Sequence, residues 1–164
     1  ATGRATLVLF TDFQCPFSAR LVPILDRALT RFPGQVRLVF KHFPQEFHPL
    51  AAEAAKLGVC AEAQGRFWEL YRQLFDVEHQ RGLDKAGLSA YARAAGLDSK
   101  KLDACLASEV PSRVLARDAA EAKQATVAGT PTLFLNGRRF TSPTGYNDRS
   151  LGAVLSQVLG QAPK

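Results

Sequence analysis

The chemistry-bearing residues of this chain open with Cys15-Pro16-Phe17-Ser18, a Cys-x-x-Cys arrangement whose second sulfur is replaced by oxygen. A cysteine at the first position of such a motif attacks disulfides as its thiolate and forms a mixed disulfide. The second cysteine would expel that adduct. Ser18 cannot, because a hydroxyl stays protonated near neutrality and an S–O product is no stable substitute. The pattern predicts chemistry through one sulfur, with Ser18 one helical turn on, where it can donate a hydrogen bond to the Cys15 thiolate. An external thiol must then release the adduct.

Two elements have to position that sulfur. The apolar run Thr6-Leu7-Val8-Leu9-Phe10 has the length and β-branched content of a buried strand and ends just before the motif. Pro16 suits a first helical turn, where its missing N–H has no intrahelical partner, and Leu21, Val22, Leu25, Leu29 and Phe32 follow at helical spacing. Cys15 would therefore sit at a helix N-terminus, where unpaired N–H groups and the helix dipole favour a thiolate. Pro23 is expected to kink this helix.

Further along, Gln35 to His42 alternates as a second strand, and a strand–helix–strand unit of this size implies parallel pairing with a right-handed crossover. From about His48 to Ala125 the pattern is helical, punctuated by Gly65, Gly82, Gly96 and Pro111, with Asp84 and Asp98 placed as N-caps. Thr132 to Leu135, Asn136-Gly137 and Arg138 to Thr141 form a two-residue hairpin signal, and Tyr146 to Leu159 supplies a closing amphipathic helix. The predicted class is α/β, with a mixed central sheet.

With these residues in place, the chain resembles the DsbA-like thiol–disulfide oxidoreductases of the thioredoxin superfamily. Phe13-Gln14-Cys15-Pro16-Phe17 followed by Ser18 is close to that family's Phe-x-Cys-Pro-x-Cys signature, and Val127-Ala128-Gly129-Thr130-Pro131-Thr132 is similar to its cis-proline loop. Lys41-His42-Phe43-Pro44, His48-Pro49-Leu50-Ala51 and Ala63-Gln64-Gly65-Arg66-Phe67-Trp68 look like its strand exit and helical insertion. The resemblance spans nearly the whole chain. It implies one thioredoxin-fold domain: a βαβ half over 1–47, an all-helical insertion over 48–126 between the second strand and the cis-proline strand, and a ββα half over 127–164. It also implies a cis Thr130–Pro131 bond against the Cys15 sulfur, leaving the Thr130 backbone free to pair with an extended substrate segment. Cys15, Ser18 and Pro131 become the catalytic candidates, and Phe13, Pro16, Phe17 and Thr130 the candidate substrate-binding residues.

The family usually buries an acidic residue six positions before the first motif cysteine, and here that position is Leu9. Asp12 is expected not to replace it, since an odd separation along a strand points to the opposite face. Loss of both the second sulfur and the carboxylate favours a native Cys-x-x-Ser site, with an engineered Cys-to-Ser trapping variant as the alternative. Two other readings stay open. One is a redox-inactive module that binds extended peptides beside Pro131. The other is a glutathione-dependent enzyme of the kappa type, although that family begins its motif with serine.

Cys60 and Cys105 both fall in the helical insertion, either as a disulfide bracing it or as two buried thiols. The disulfide would point to the bacterial periplasm or another extracytoplasmic oxidising compartment. The lead from Ala1 to the first strand is expected of a mature chain or an excised domain, without a secretory signal peptide of its own. No cofactor is expected beyond glutathione as an external thiol. The expected partners are client proteins with disulfides or free cysteines, together with a redox partner or neighbouring domain.

At 164 residues and 46% hydrophobic, the chain is long enough for a sizeable core, and no apolar run reaches the length of a membrane span. The net charge of +6 comes from scattered basic residues without interleaved aromatics, which argues against a nucleic-acid platform. His42, His48 and His79 lack metal-ligand spacing, and His42 and His48 are expected instead to shape the strand exit.

Overall fold

The computed structural model describes residues 4–76 and 83–160, so His79 and Gly82 lie outside the described residues. A four-stranded sheet is built around β1 (Ala5–Thr11). On one side β2 (Val36–His42) runs parallel to it, pairing Ala5 with Val36 and Thr11 with His42. On the other, β3 (Thr132–Leu135) is antiparallel, with Leu7 opposite Leu135, and β4 (Arg138–Arg139) pairs with β3. The spatial order is β2-β1-β3-β4. Asn136 and Gly137 both take positive φ, of 49° and 79°, as a two-residue hairpin turn of this kind requires. The second hairpin arm is shorter than the expected Arg138 to Thr141.

β1 reads as a continuous apolar run because both sheet faces are covered. Ala5, Leu7 and Leu9 pack with Leu21, Leu25 and Phe32 of α1 (Pro16–Arg31) and its C-cap, and with Leu151 and Leu155 of α7 (Asp148–Val158). On the opposite face Phe10 meets Ala122 and Val127. Each buried leucine contributes roughly 1.5–3 kcal/mol, so β1 is fixed in register from both sides. α1 runs unbroken through Pro23, whose position ends no element. Asn147 caps α7 through a reciprocal pair with Ser150, which starts that helix two residues after the expected Tyr146.

Between β2 and β3 lie α2 (Ala51–Ala63), α3 (Phe67–Leu74), α4 (Lys85–Ala94), α5 (Ser99–Leu106) and α6 (Val110–Gln124). Asp84 and Asp98 do cap α4 and α5, accepting from the Gly87 and Lys101 backbone N–H groups. Pro111 sits in the first turn of α6, just past the break that separates it from α5. Cys60 of α2 and Cys105 of α5 form a disulfide with a Cα separation of 5.8 Å. The insertion is tied to the sheet by the buried Asp118 of α6, which accepts from the His42 backbone N–H at 3.0 Å and from Lys41 at 3.3 Å. α2 approaches the sheet closely at Gly58, where a Cβ would lie 2.8 Å from His42 Cε1 and 2.9 Å from Phe13 Cε2.

Candidate active site

Cys15 is the N-cap of α1, with Pro16 at the first helical position. Its backbone N–H donates to the Asp12 carbonyl at 3.1 Å, and its own carbonyl accepts from Ala19 N at 3.0 Å, closing the first turn. The side chain is the one cysteine outside the disulfide and is only 3% exposed. The Thr130–Pro131 peptide is cis, and the Cys15 thiol donates to the Thr130 carbonyl oxygen at 3.4 Å. Thr132 Oγ1 donates to Gly129 O at 2.7 Å and fixes this loop where it enters β3. The Thr130 carbonyl, expected to pair with substrate, accepts this one contact and keeps a second lone pair. Ionisation removes that donor, and the unpaired N–H groups of the first turn of α1 are left to solvate the sulfur.

Two site expectations need correction. Ser18 does not donate to Cys15: its Oγ is buried and has no hydrogen-bond partner. The reason is rotational, since positions 18, 21, 22 and 25 all turn toward the core of α1's inner face. Phe13 does not line a groove either. It is 1% exposed and stacks on Phe40 at 5.0 Å, with Phe75 at 5.1 Å, so it supports the Cys15 turn from beneath. Pro16 and Phe17 are exposed, Phe17 by 63%, and the Arg20 guanidinium lies over the Phe17 ring at 5.7 Å. Phe17, Arg20, Ile24, Thr130, Pro131 and Tyr146 line a groove of ≈ 370 Å³ beside the cis bond.

Asp12 plays a larger part than strand alternation allowed. β1 ends at Thr11, so the two-residue period does not extend to it. Its fully buried carboxylate accepts from Gln14 N at 2.7 Å, an Asx turn, and from Gln45 N at 2.9 Å and His48 Nδ1 at 2.7 Å. Leu50 N adds a further tie, donating to Gln14 Oε1 at 2.8 Å. The 45–50 loop is thus docked on the turn that carries Cys15. The signal in the sequence was an aspartate at a strand end, two residues before a donor. Leu9 is fully buried in the apolar core, and no carboxylate stands there.

His42 and His48 both lie at the strand exit. His42 closes β2 and is buried, and that burial lowers its pKa from 6.5 to about 4. Among the described residues no group of three or more potential metal ligands comes together. No described helix is long and apolar enough to cross a membrane.

A mixed sheet with a helical insertion, a cysteine capping the helix after its central strand and a cis-proline loop facing that cysteine define the DsbA-like form of the thioredoxin fold. The chain belongs to the thioredoxin family, whose model, described as thioredoxin, matches residues 2–151. Structurally it is similar to a thioredoxin-like oxidoreductase from Silicibacter pomeroyi (TM-score 0.80, 22% identity, covering 98% of this chain and 89% of that one). A periplasmic thioredoxin-like protein from Salmonella enterica serovar Typhimurium (TM-score 0.76, 20% identity, 97% and 86% covered) shares the fold. So does the thiol–disulfide exchange protein alpha-DsbA2 from Wolbachia pipientis (TM-score 0.81, 14% identity, 97% and 82% covered). In sequence it is 39% identical over 142 residues to a Na(+)/H(+) antiporter NhaA 1 from Mycolicibacterium gilvum, covering 84% of this chain and 22% of that protein. It is also 35% identical over 158 residues to an NhaA 3 from Salinispora tropica, covering 96% and 24%. The chain therefore spans about a fifth to a quarter of the length of these curated relatives.

Proposed function

We propose that this is a monothiol disulfide oxidoreductase-like domain acting through Cys15. The observation that carries the reading is the Cys15 thiol at the N-terminus of α1, 3.4 Å from the carbonyl of the cis-proline loop. In the reaction, the thiol first loses its proton to solvent. The Cys15 thiolate then attacks one sulfur of a client disulfide or of a glutathionylated thiol. The Cys15–client S–S bond forms as the original S–S bond breaks, and the second sulfur leaves as a thiolate. Ser18 supplies no internal exit, so an external thiolate such as glutathione attacks the Cys15 sulfur, expelling the client sulfur as a thiolate and leaving Cys15 glutathionylated, and a second glutathione then frees the Cys15 thiolate as oxidised glutathione forms. The protein acts as a reductase or isomerase, not as a store of oxidising equivalents.

The Cys60–Cys105 disulfide and the periplasmic thioredoxin-like protein among the structural neighbours support an extracytoplasmic, oxidising location. The antiporter relatives support a neighbouring membrane-transport domain as partner. A second reading, a peptide-binding module without turnover, draws on the low exposure of Cys15.

One experiment separates the two. The protein is mixed with a peptide whose cysteine carries a thionitrobenzoate leaving group, and chromophore release is followed together with intact mass. Release of one equivalent with a peptide adduct on Cys15, reversed by glutathione, is expected. No release from the wild type together with no dithiol activity in Ser18→Cys would overturn the enzyme reading and leave the binding module.

A further inference from the structure

One residue holds the turn that delivers Cys15 by both of its carbonyl groups. The backbone carbonyl of Asp12 accepts from Cys15 N at 3.1 Å, closing a four-residue turn, and its carboxylate accepts from Gln14 N at 2.7 Å. Neither bond involves the sulfur. Cys15 is the N-cap of α1 at φ −76° and ψ 120°, yet its side chain makes no cap hydrogen bond. Serine or aspartate at an N-cap holds the position with its own side-chain oxygen. Here the cap conformation is imposed from three residues upstream. Gln45 N at 2.9 Å and His48 Nδ1 at 2.7 Å supply the further donors that a fully buried carboxylate requires. Residues 12 and 15 of such a turn lie within about 7 Å by their Cα atoms, so the Asp12 charge opposes a thiolate at Cys15. What Asp12 offers the site is geometry and not charge.

We propose that Asp12 is a positioning residue for the Cys15 nucleophile: its Asx turn sets the backbone of residues 12–15 so that the sulfur stands at the N-terminus of α1. The proposal rests on the thiol-exchange reading above and names a residue outside the motif on which that sulfur depends. Gln45 and His48 act through Asp12, keeping its carboxylate seated. Gln14 belongs to the same unit, since its Oε1 accepts from Leu50 N at 2.8 Å and ties the turn to the loop that supplies both donors. A freed turn lets Cys15 leave the cap, and the thiolate then loses the first-turn N–H groups of α1.

The test follows the rate of Cys15 alkylation by iodoacetamide against pH in the wild type, Asp12→Asn, Asp12→Ala and His48→Ala. The midpoint of the profile reports how well the thiolate is stabilised, while the plateau absorbs any change in access. Asn and Ala both remove the charge, but only Asn keeps a side-chain oxygen to accept from Gln14 N. His48, the titratable side chain bonded to Asp12, is present in both variants. The midpoint of Asp12→Ala is expected at least about 0.7 pH unit above that of Asp12→Asn, which is an about five-fold smaller thiolate fraction at a pH below both. His48→Ala, which leaves the Asx turn intact, is expected to unfold at lower urea with its midpoint within about 0.3 pH unit of the wild type. Equal midpoints in Asp12→Asn and Asp12→Ala overturn the proposal, as does a His48→Ala midpoint displaced upward as far as that of Asp12→Ala. If Asp12→Ala does not fold, Asp12→Ser replaces it, because a hydroxyl makes the turn more weakly, and a midpoint equal to that of Asp12→Asn again overturns the proposal. Failure of the exchange reading would appear separately, as absent thionitrobenzoate release from a wild type whose Cys15 still alkylates.

Discussion

The Cys15 thiol donates to the carbonyl oxygen of Thr130 at 3.4 Å, joining residues 115 positions apart in sequence. The contact belongs to the protonated thiol, since a thiolate has no hydrogen to give. In the thiol form the sulfur lies against the Thr130 carbonyl, and ionisation exchanges that contact for donors. The N–H groups at the start of α1 are available, and the Ser18 hydroxyl, one helical turn on, is buried and without a hydrogen-bond partner.

Ser18→Ala should therefore separate stability from reactivity. Removing a buried hydroxyl that makes no hydrogen bond relieves a desolvation cost, so urea unfolding is expected to show stability unchanged or raised by up to about 1 kcal/mol. Alkylation of Cys15 at a fixed neutral pH is expected to slow by about ten-fold, equivalent to ~1.4 kcal/mol for one hydrogen bond to the charged sulfur. An unchanged alkylation rate would mean that the helix N-terminus alone solvates the thiolate.

The Cys60–Cys105 bridge closes a sequence separation of 45 residues between α2 and α5, and α5 has no fully buried residue of its own. The cross-link is therefore a covalent restraint on a helix otherwise held by Leu102, which packs against the main apolar cluster, and by the Asp98–Gln64 hydrogen bonds. Loop-closure entropy for a separation of this size gives about 4 kcal/mol. The double variant Cys60→Ala, Cys105→Ala is expected to unfold at markedly lower urea, with amide exchange accelerated first over Ser99–Leu106. A variant with wild-type stability would mean that packing at Leu102 already holds α5 in place.

Much of the frame was legible because it depends on local pattern. The apolar run into Cys15, Pro16 at the helix start, the aspartate caps at Asp84 and Asp98 and the Asn136-Gly137 turn are all set by residues close in sequence. The misread residues are those whose environment comes from afar. Phe13 is buried because Phe40, Phe67 and Phe75, from β2 and the helical insertion, close over it. Asp12 is buried because its imidazole partner arrives from 36 residues downstream. Ser18 points inward because the sheet beneath α1 fixes which side of that helix is dry, and a motif alone does not carry that rotation.

His42 makes the fold acid-sensitive in a defined window. Its ring packs against Phe13 and Phe40, and burial lowers its pKa from 6.5 to about 4. Arg117 and Lys41 push in the same direction, while Asp118 partly opposes them. Because the folded value lies below the unfolded one, the unfolded chain takes up the proton first as the pH falls. The contribution of neutral His42 is thus fully present above about 6.5, declines between there and about 4, and is gone below. Over that span the loss amounts to about 3 kcal/mol. His42→Gln carries no titrating ring, so its stability should fall less steeply across the same interval, and the gap between wild type and variant should narrow by about that amount from pH 7 to pH 4. Urea midpoints measured at half-unit steps check this, and parallel profiles for the two proteins would show that the folded state protonates His42 as readily as the unfolded chain does.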